Sequence, residues 1–163
     1  MRDVADELAR LTQEAAARLR EVDEAAATQT RGPGTWTRKE VLGHLVDSAL
    51  NNHQRFVRAQ LLSELVFPGY EQESWVAAQA YRDRAWERLV ALWSEANLHL
   101  AHVISRIPAD RRTTPCRIGG GEPVTLEFVA RDYVRHLRHH LEQIFAPEAA
   151  SGKSHPPFAS PRA

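Results

Sequence analysis

The chain has 163 residues, 43% of them hydrophobic and 26% charged, with a formal net charge of zero. These proportions are those of an ordinary globular domain and argue against wholesale disorder. The balanced charge argues against a general electrostatic hold on nucleic acid or an anionic membrane.

A single cysteine, Cys116, excludes an internal disulfide, and no apolar run approaches the roughly 18 residues of a membrane span. The opening segment, MRDVADELARL, has no apolar signal core, so a cytoplasmic protein is expected.

Four segments carry helical periodicity and none reads as a strand. The first runs from about Arg2 to Ala27, with Val4, Leu8, Leu11, Ala15, Leu19 and Val22 spaced three or four apart. Gly32, Pro33 and Gly34 break the chain. Thr37 and Glu40 then have capping-box spacing, so a second helix is predicted from Arg38 to about Leu65. Pro68 and Gly69 end it. A third helix is predicted over Trp75 to Arg106, on Leu89, Leu92, Trp93, Leu100, Val103 and Ile104.

Prolines and three consecutive glycines between Pro108 and Pro123 indicate a loop or hairpin. Thr125 can cap a last helix reaching Phe145. From Pro147 the composition is Pro, Ser, Gly and Ala, which predicts a disordered tail. The expected architecture is all-α, one four-helix bundle over residues 1–146 with a flexible tail over 147–163.

The segment DYVRHLRHHLEQI, residues 132–144, is the informative one, read either as a metal clamp or as two partly buried histidines with ordinary hydrogen bonds. On a helical wheel His140 lies within about 60° of the apolar centre, His136 at its edge, and His139 towards solvent. Residues i and i+4 stack about 6 Å apart, so His136 and His140 can reach one ion. A third donor must come from His44, His53, His99 or His102. Periodicity places His53 on the apolar face of the second helix and His44 nearly opposite, with Ser48, Asn51 and Arg55 on its side. That stripe reads equally as a solvated surface or as the polar wall of a site.

Residues 36–56, WTRKEVLGHLVDSALNNHQRF, resemble the second-helix signature of the DinB superfamily, in particular its YfiT-like branch: W-T-x-x-x-V-x-x-H-x-x-D-S, ending in R-F. Residues 133–144, YVRHLRHHLEQI, are similar to the same family's terminal Y-V-x-H-x-x-x-H-x-x-x-I. Pro68, Tyr70 and Trp75 fit a further stretch with shorter spacing. The resemblance covers the helical order from about residue 2 to 145. It implies a four-helix bundle whose metal ligands are His44, His136 and His140, holding one divalent ion, zinc or nickel, with positions open to water. It also implies a homodimer. The chain departs from the family in having Gly43 where a second histidine precedes His44, and in its Pro-rich tail.

His53, His99 and His102 are expected as packed or surface histidines, Cys116 as an inert loop thiol, and Tyr70, Trp75 and Tyr81 as packing residues, with the lining of a pocket mouth as the alternative for these three. Asp47 and Ser48 match the family's D-S pair. Asp47 can orient a ligand, bind substrate or stabilise the helix, and Arg55 can pair with a substrate carboxylate or a structural acid. Asp47 and Arg55 are therefore the candidate catalytic residues, although neither Asp47 nor Glu142 stands out as a general base.

The expected function is a metal-dependent enzyme acting on a small molecule, either a hydrolase or a transferase using a low-molecular-weight thiol. The alternative is a non-enzymatic, stress-associated protein in which the metal fastens helices. DNA binding is disfavoured by the zero net charge.

Overall fold

The computed structural model describes residues 1–30, 32 and 34–146. Helix α1 spans Arg2–Arg20 and buries the stripe Val4, Ala5, Leu8, Thr12, Ala15, Ala16 and Leu19. The one hydroxyl in that stripe is satisfied, because Thr12 donates to the Leu8 carbonyl at 2.7 Å. The periodic stretch does not continue unbroken to Ala27. Asp23 caps a new short helix, α2 (Glu24–Thr28), by accepting from the Ala26 amide at 2.7 Å.

The break is used. Glu24 accepts from the backbone amide of Trp86 at 2.8 Å and pairs with Lys39, which is almost wholly buried. It thereby satisfies a helix start whose own N-cap, Ala85, has no side-chain acceptor.

Helix α3 (Arg38–Leu61) begins at the Thr37–Glu40 capping box, with both reciprocal bonds formed. It stops at Leu61 rather than Leu65, because Leu65–Phe67 leaves the helix as strand β1. The predicted third helix is divided. Helix α4 (Gln72–Gln79) ends at Ala80, whose φ of 48° is left-handed; a 3-10 turn covers Tyr81–Asp83, and α5 (Trp86–Ser105) follows. The loop after it forms β2 (Pro115–Ile118) and β3 (Val124–Thr125), turning through Gly119 and Gly120 at φ 66° and 86°. Thr125 caps α6 (Leu126–Phe145) by accepting from the Phe128 amide at 3.1 Å.

The expectation of no strand is thus corrected among the described residues. A three-stranded sheet of order β1-β2-β3 forms, β1 and β2 parallel with Leu65 opposite Cys116, β2 and β3 antiparallel with Cys116 opposite Val124. Runs of two to four residues are too short to show a period of two.

The main helices form a ring in which α1 packs on α5 and α6, and α3 packs on the same two. The fold is an all-α four-helix bundle with the small sheet attached. Helices α3 and α6 run antiparallel: Arg38 donates to the Ile144 carbonyl at 3.3 Å at one end, and Phe56 meets Tyr133 edge-on further along. No helix among the described residues is long and apolar enough to cross a membrane. The tail over 147–163 lies outside the described residues.

Removing the capping hydroxyl with Thr37→Ala is expected to cost about 1 kcal/mol. Chemical denaturation should show a lowered midpoint with an unchanged slope.

Candidate metal centre

Helix α3 is buried all the way round from Val41 to Ala49, so opposite sides of it face protein. That is why His44, which lies off the main apolar face, is only 2% exposed. It stands at the packing seam with α6, opposite His136 and His140. The Nε2 atoms of His44 and His136 are 3.4 Å apart, and those of His136 and His140 are 3.1 Å apart. One ring nitrogen from each of the three lies within 4.8 Å of the others. Donor atoms bonded to one ion at about 2.1 Å stand roughly 3.0–3.4 Å from each other, so the two close separations fit a shared ion.

Burial drives the electrostatics of the cluster. It holds His44 down at about 3 and His140 at about 4, each far below the ordinary imidazole value, and the neighbouring imidazoles push His44 and His136 in the same direction. At neutral pH all three rings are uncharged, the state in which imidazole binds metal. The tautomer of His140 follows from its partner: Nδ1 faces the Gln143 side-chain oxygen at 2.7 Å, so Nδ1 donates and the Nε2 lone pair faces the cluster. His44 Nδ1 is sealed from solvent without a partner among the described residues, and the ring of Trp36 stands 5.6 Å from that of His44.

Asp47, one turn beyond His44, is 1% exposed. Its Oδ1 accepts from the Tyr81 hydroxyl at 2.6 Å and from the Gln79 amide at 2.5 Å, while Oδ2 meets no donor among the described residues. Burial raises its pKa, opposed by the bonds from Tyr81 and Gln79. Asp47 makes no hydrogen bond to His44, whose Nδ1 remains without one.

Gly43 explains how Tyr81 reaches this position. A Cβ at residue 43 would lie 2.2 Å from the Tyr81 ring, so only glycine lets the phenol lie on α3. The position where the chain departs from the family pattern is therefore the seat of the residue that holds Asp47.

The other candidates fall elsewhere. His53 is half-buried against His99 at 5.2 Å, and His102 is exposed beyond it. His139, expected towards solvent, is half-buried with its Nε2 3.1 Å from the Gln143 amide. Glu142 is exposed. Cys116 sits buried in β2 rather than in an open loop, its thiol raised by burial to about 11. Trp75 is 40% exposed and meets the Tyr70 ring at 4.7 Å. Sequence reasoning missed Gln143, Gln79, Trp36 and the role of Tyr81. Of these, only Gln143, three residues beyond His140, carries a signal in its spacing.

Comparison with known proteins bears on the family and the fold. The sequence profile described as DinB superfamily matches residues 7–144. The solved structure of YfiT from Bacillus subtilis, described as a probable metal-dependent hydrolase with an unusual four-helix bundle topology, superimposes with a TM-score of 0.72. That alignment covers 86% of this chain and 83% of the other at 21% identity, a likeness of fold. No curated protein matches the chain.

Two outcomes are expected. Gly43→Ala should displace Tyr81 from α3 and cost about 1–3 kcal/mol, read as a lowered denaturation midpoint. The metal-free protein should also lose stability in acid. The unfolded chain protonates these histidines near 6.5, the folded chain only near 4 and below. Stability is then complete above about pH 6.5 and falls as pH drops towards 4, by at most about 1.4 kcal/mol per pH unit for each histidine. Denaturant titrations with chelator at pH 7.5 and pH 5 measure it; an equal midpoint at both would contradict the assignment of neutral buried rings.

Proposed function

The chain belongs to the DinB superfamily, and from that premise we propose that it is a metal-dependent hydrolase of a small molecule, with His44, His136 and His140 as ligands of one divalent ion. The observation that carries this reading is the donor set. Three neutral imidazoles each bring a ring nitrogen within 4.8 Å of the other two, and among the described residues the group has three donors, one fewer than a closed structural zinc site. Imidazole suits zinc and nickel alike. The fold likeness to a protein described as a probable metal-dependent hydrolase adds support.

A bound ion in such a centre supplies Lewis acidity, polarising an electrophile and lowering the pKa of water or a thiol that joins it. The chain's own residues do the rest. Uncharged ligands leave the ion its full charge, and Gln143 fixes the His140 ring with its lone pair inward.

Asp47 is the proton acceptor in this reading. Tyr81 and Gln79 hold one carboxylate oxygen, leaving Oδ2 to take a proton from the nucleophile. Its raised pKa brings it closer to the neutral range in which a general base works best. The same residues serve a thiol nucleophile, so transfer of a low-molecular-weight thiol is the neighbouring reading. A structural metal alone would leave the unpartnered Asp47 oxygen without a role.

Metal analysis of the purified protein tests the centre. Wild type should carry about one equivalent, and His44→Ala and His140→Ala should lose it; equal substoichiometric metal in all three would end the proposal. Asp47→Asn should retain the metal while lowering ester or amide hydrolysis by about 100-fold or more.

A further inference from the structure

Arg55 follows His44 by eleven residues, three helical turns, and so returns to the same side of α3 as His44 and Ser48. Of the two arginines near that stripe it is the half-buried one, Arg58 being exposed, and it is held unusually. The guanidinium is half-buried, lies 5.4 Å above the Phe67 ring, and makes one long bond of 3.4 Å from Nη1 to the Asn52 side-chain oxygen. Its Nε is sealed from solvent and meets no acceptor among the described residues.

No carboxylate among the described residues pairs with it. The groups that act on it electrostatically are the Tyr70 phenol and the Cys116 thiol, both neutral, since burial raises each to about 12 and about 11. A structural arginine at this depth is normally matched by an acid. Here the structural acid that the sequence left open is missing, and a planar, bidentate donor faces a wall of Phe67, Tyr70 and Asn52.

We propose that Arg55 is the anchor for a carboxylate on the substrate, placed at the far end of the His44 stripe, so that the substrate is an elongated monoanion. This rests on the proposed metal centre as the place of reaction, and adds the chemical class of what is bound there. Helix rise puts the Arg55 backbone about 16 Å from that of His44. Side chains at both positions lean the same way along the helix, so most of that separation is kept between the guanidinium and the cluster. One positive charge, with Asp47 between the two ends, suits a carboxylate better than a phosphate dianion, which Asp47 would repel.

The test uses 8-mercaptooctanoate, whose thiolate can join the metal while its carboxylate reaches Arg55, against the neutral 8-mercaptooctanol. Binding to the cobalt-loaded full chain is followed by the thiolate-to-cobalt absorption band, and to the metal-free chain by calorimetry. Wild type is expected to prefer the carboxylate by about tenfold or more. Arg55→Gln should bring the two probes to parity without changing cobalt affinity or the alcohol's affinity, and Arg55→Lys should keep part of the preference.

Equal binding of both probes by wild type, or an undiminished preference in Arg55→Gln, would overturn the anchor. Failure to bind cobalt would instead overturn the metal centre. In that case the calorimetric preference in the metal-free chain still decides Arg55, since it needs no ion.

Discussion

Three largely buried imidazole rings, with one nitrogen of each within 4.8 Å of the others, can coexist at neutral pH only uncharged. Much of the arrangement around them follows from that condition. Desolvation keeps protons off, Gln143 fixes the orientation of His140, and Trp36 stands beside His44. The same desolvation opposes each ring becoming a cation, so the energy that an isolated buried charge would cost is avoided. A polar cluster of this kind is tolerated in a bundle core because its members are neutral.

Helix α3 is what makes the cluster possible. A helix with one apolar stripe presents its polar side to water, but α3 is wrapped on both sides between Val41 and Ala49. Its flank carries His44, Ser48 and Arg55, and Asp47 lies beside them. The connection after α4 reinforces this: Ala80 takes a left-handed conformation, the chain turns, and Tyr81 drops onto Gly43 to hold Asp47. A side chain at position 43 would close that approach. One glycine therefore couples the packing of the α4–α5 connection to the placement of a buried carboxylate.

The short sheet plays a comparable part at the other end of the stripe. Strand β1 presents Phe67 beneath the guanidinium of Arg55, and β2 buries Cys116 within its electrostatic reach. The bundle supplies rigid spacing along α3, while the irregular segments between helices supply the walls. That division is usual where binding groups sit on a stable scaffold and the connections around them give selectivity.

Much of this was legible in the sequence. The capping box at Thr37 and Glu40, the Thr125 cap, the stripe of α1 and the i,i+4 pair His136–His140 are local features, set by helix geometry within a few residues. The third histidine was not legible from periodicity, because a wheel records one apolar face and α3 has protein on both; family resemblance, not spacing, singled out His44. Tertiary contacts also decided the break at Asp23, which delivers Glu24 to Trp86, and the division at Ala80, which delivers Tyr81 to Asp47. Whether Arg55 has an acid partner could not be read from the sequence either, since its surroundings come from β1, β2 and Tyr70, all distant along the chain. Sequence by itself determined the helices and the histidine pair, because those depend on neighbours within two turns. Only the tertiary structure decided what faces each polar group across the seam, because burial and partnership are properties of segments that meet in space.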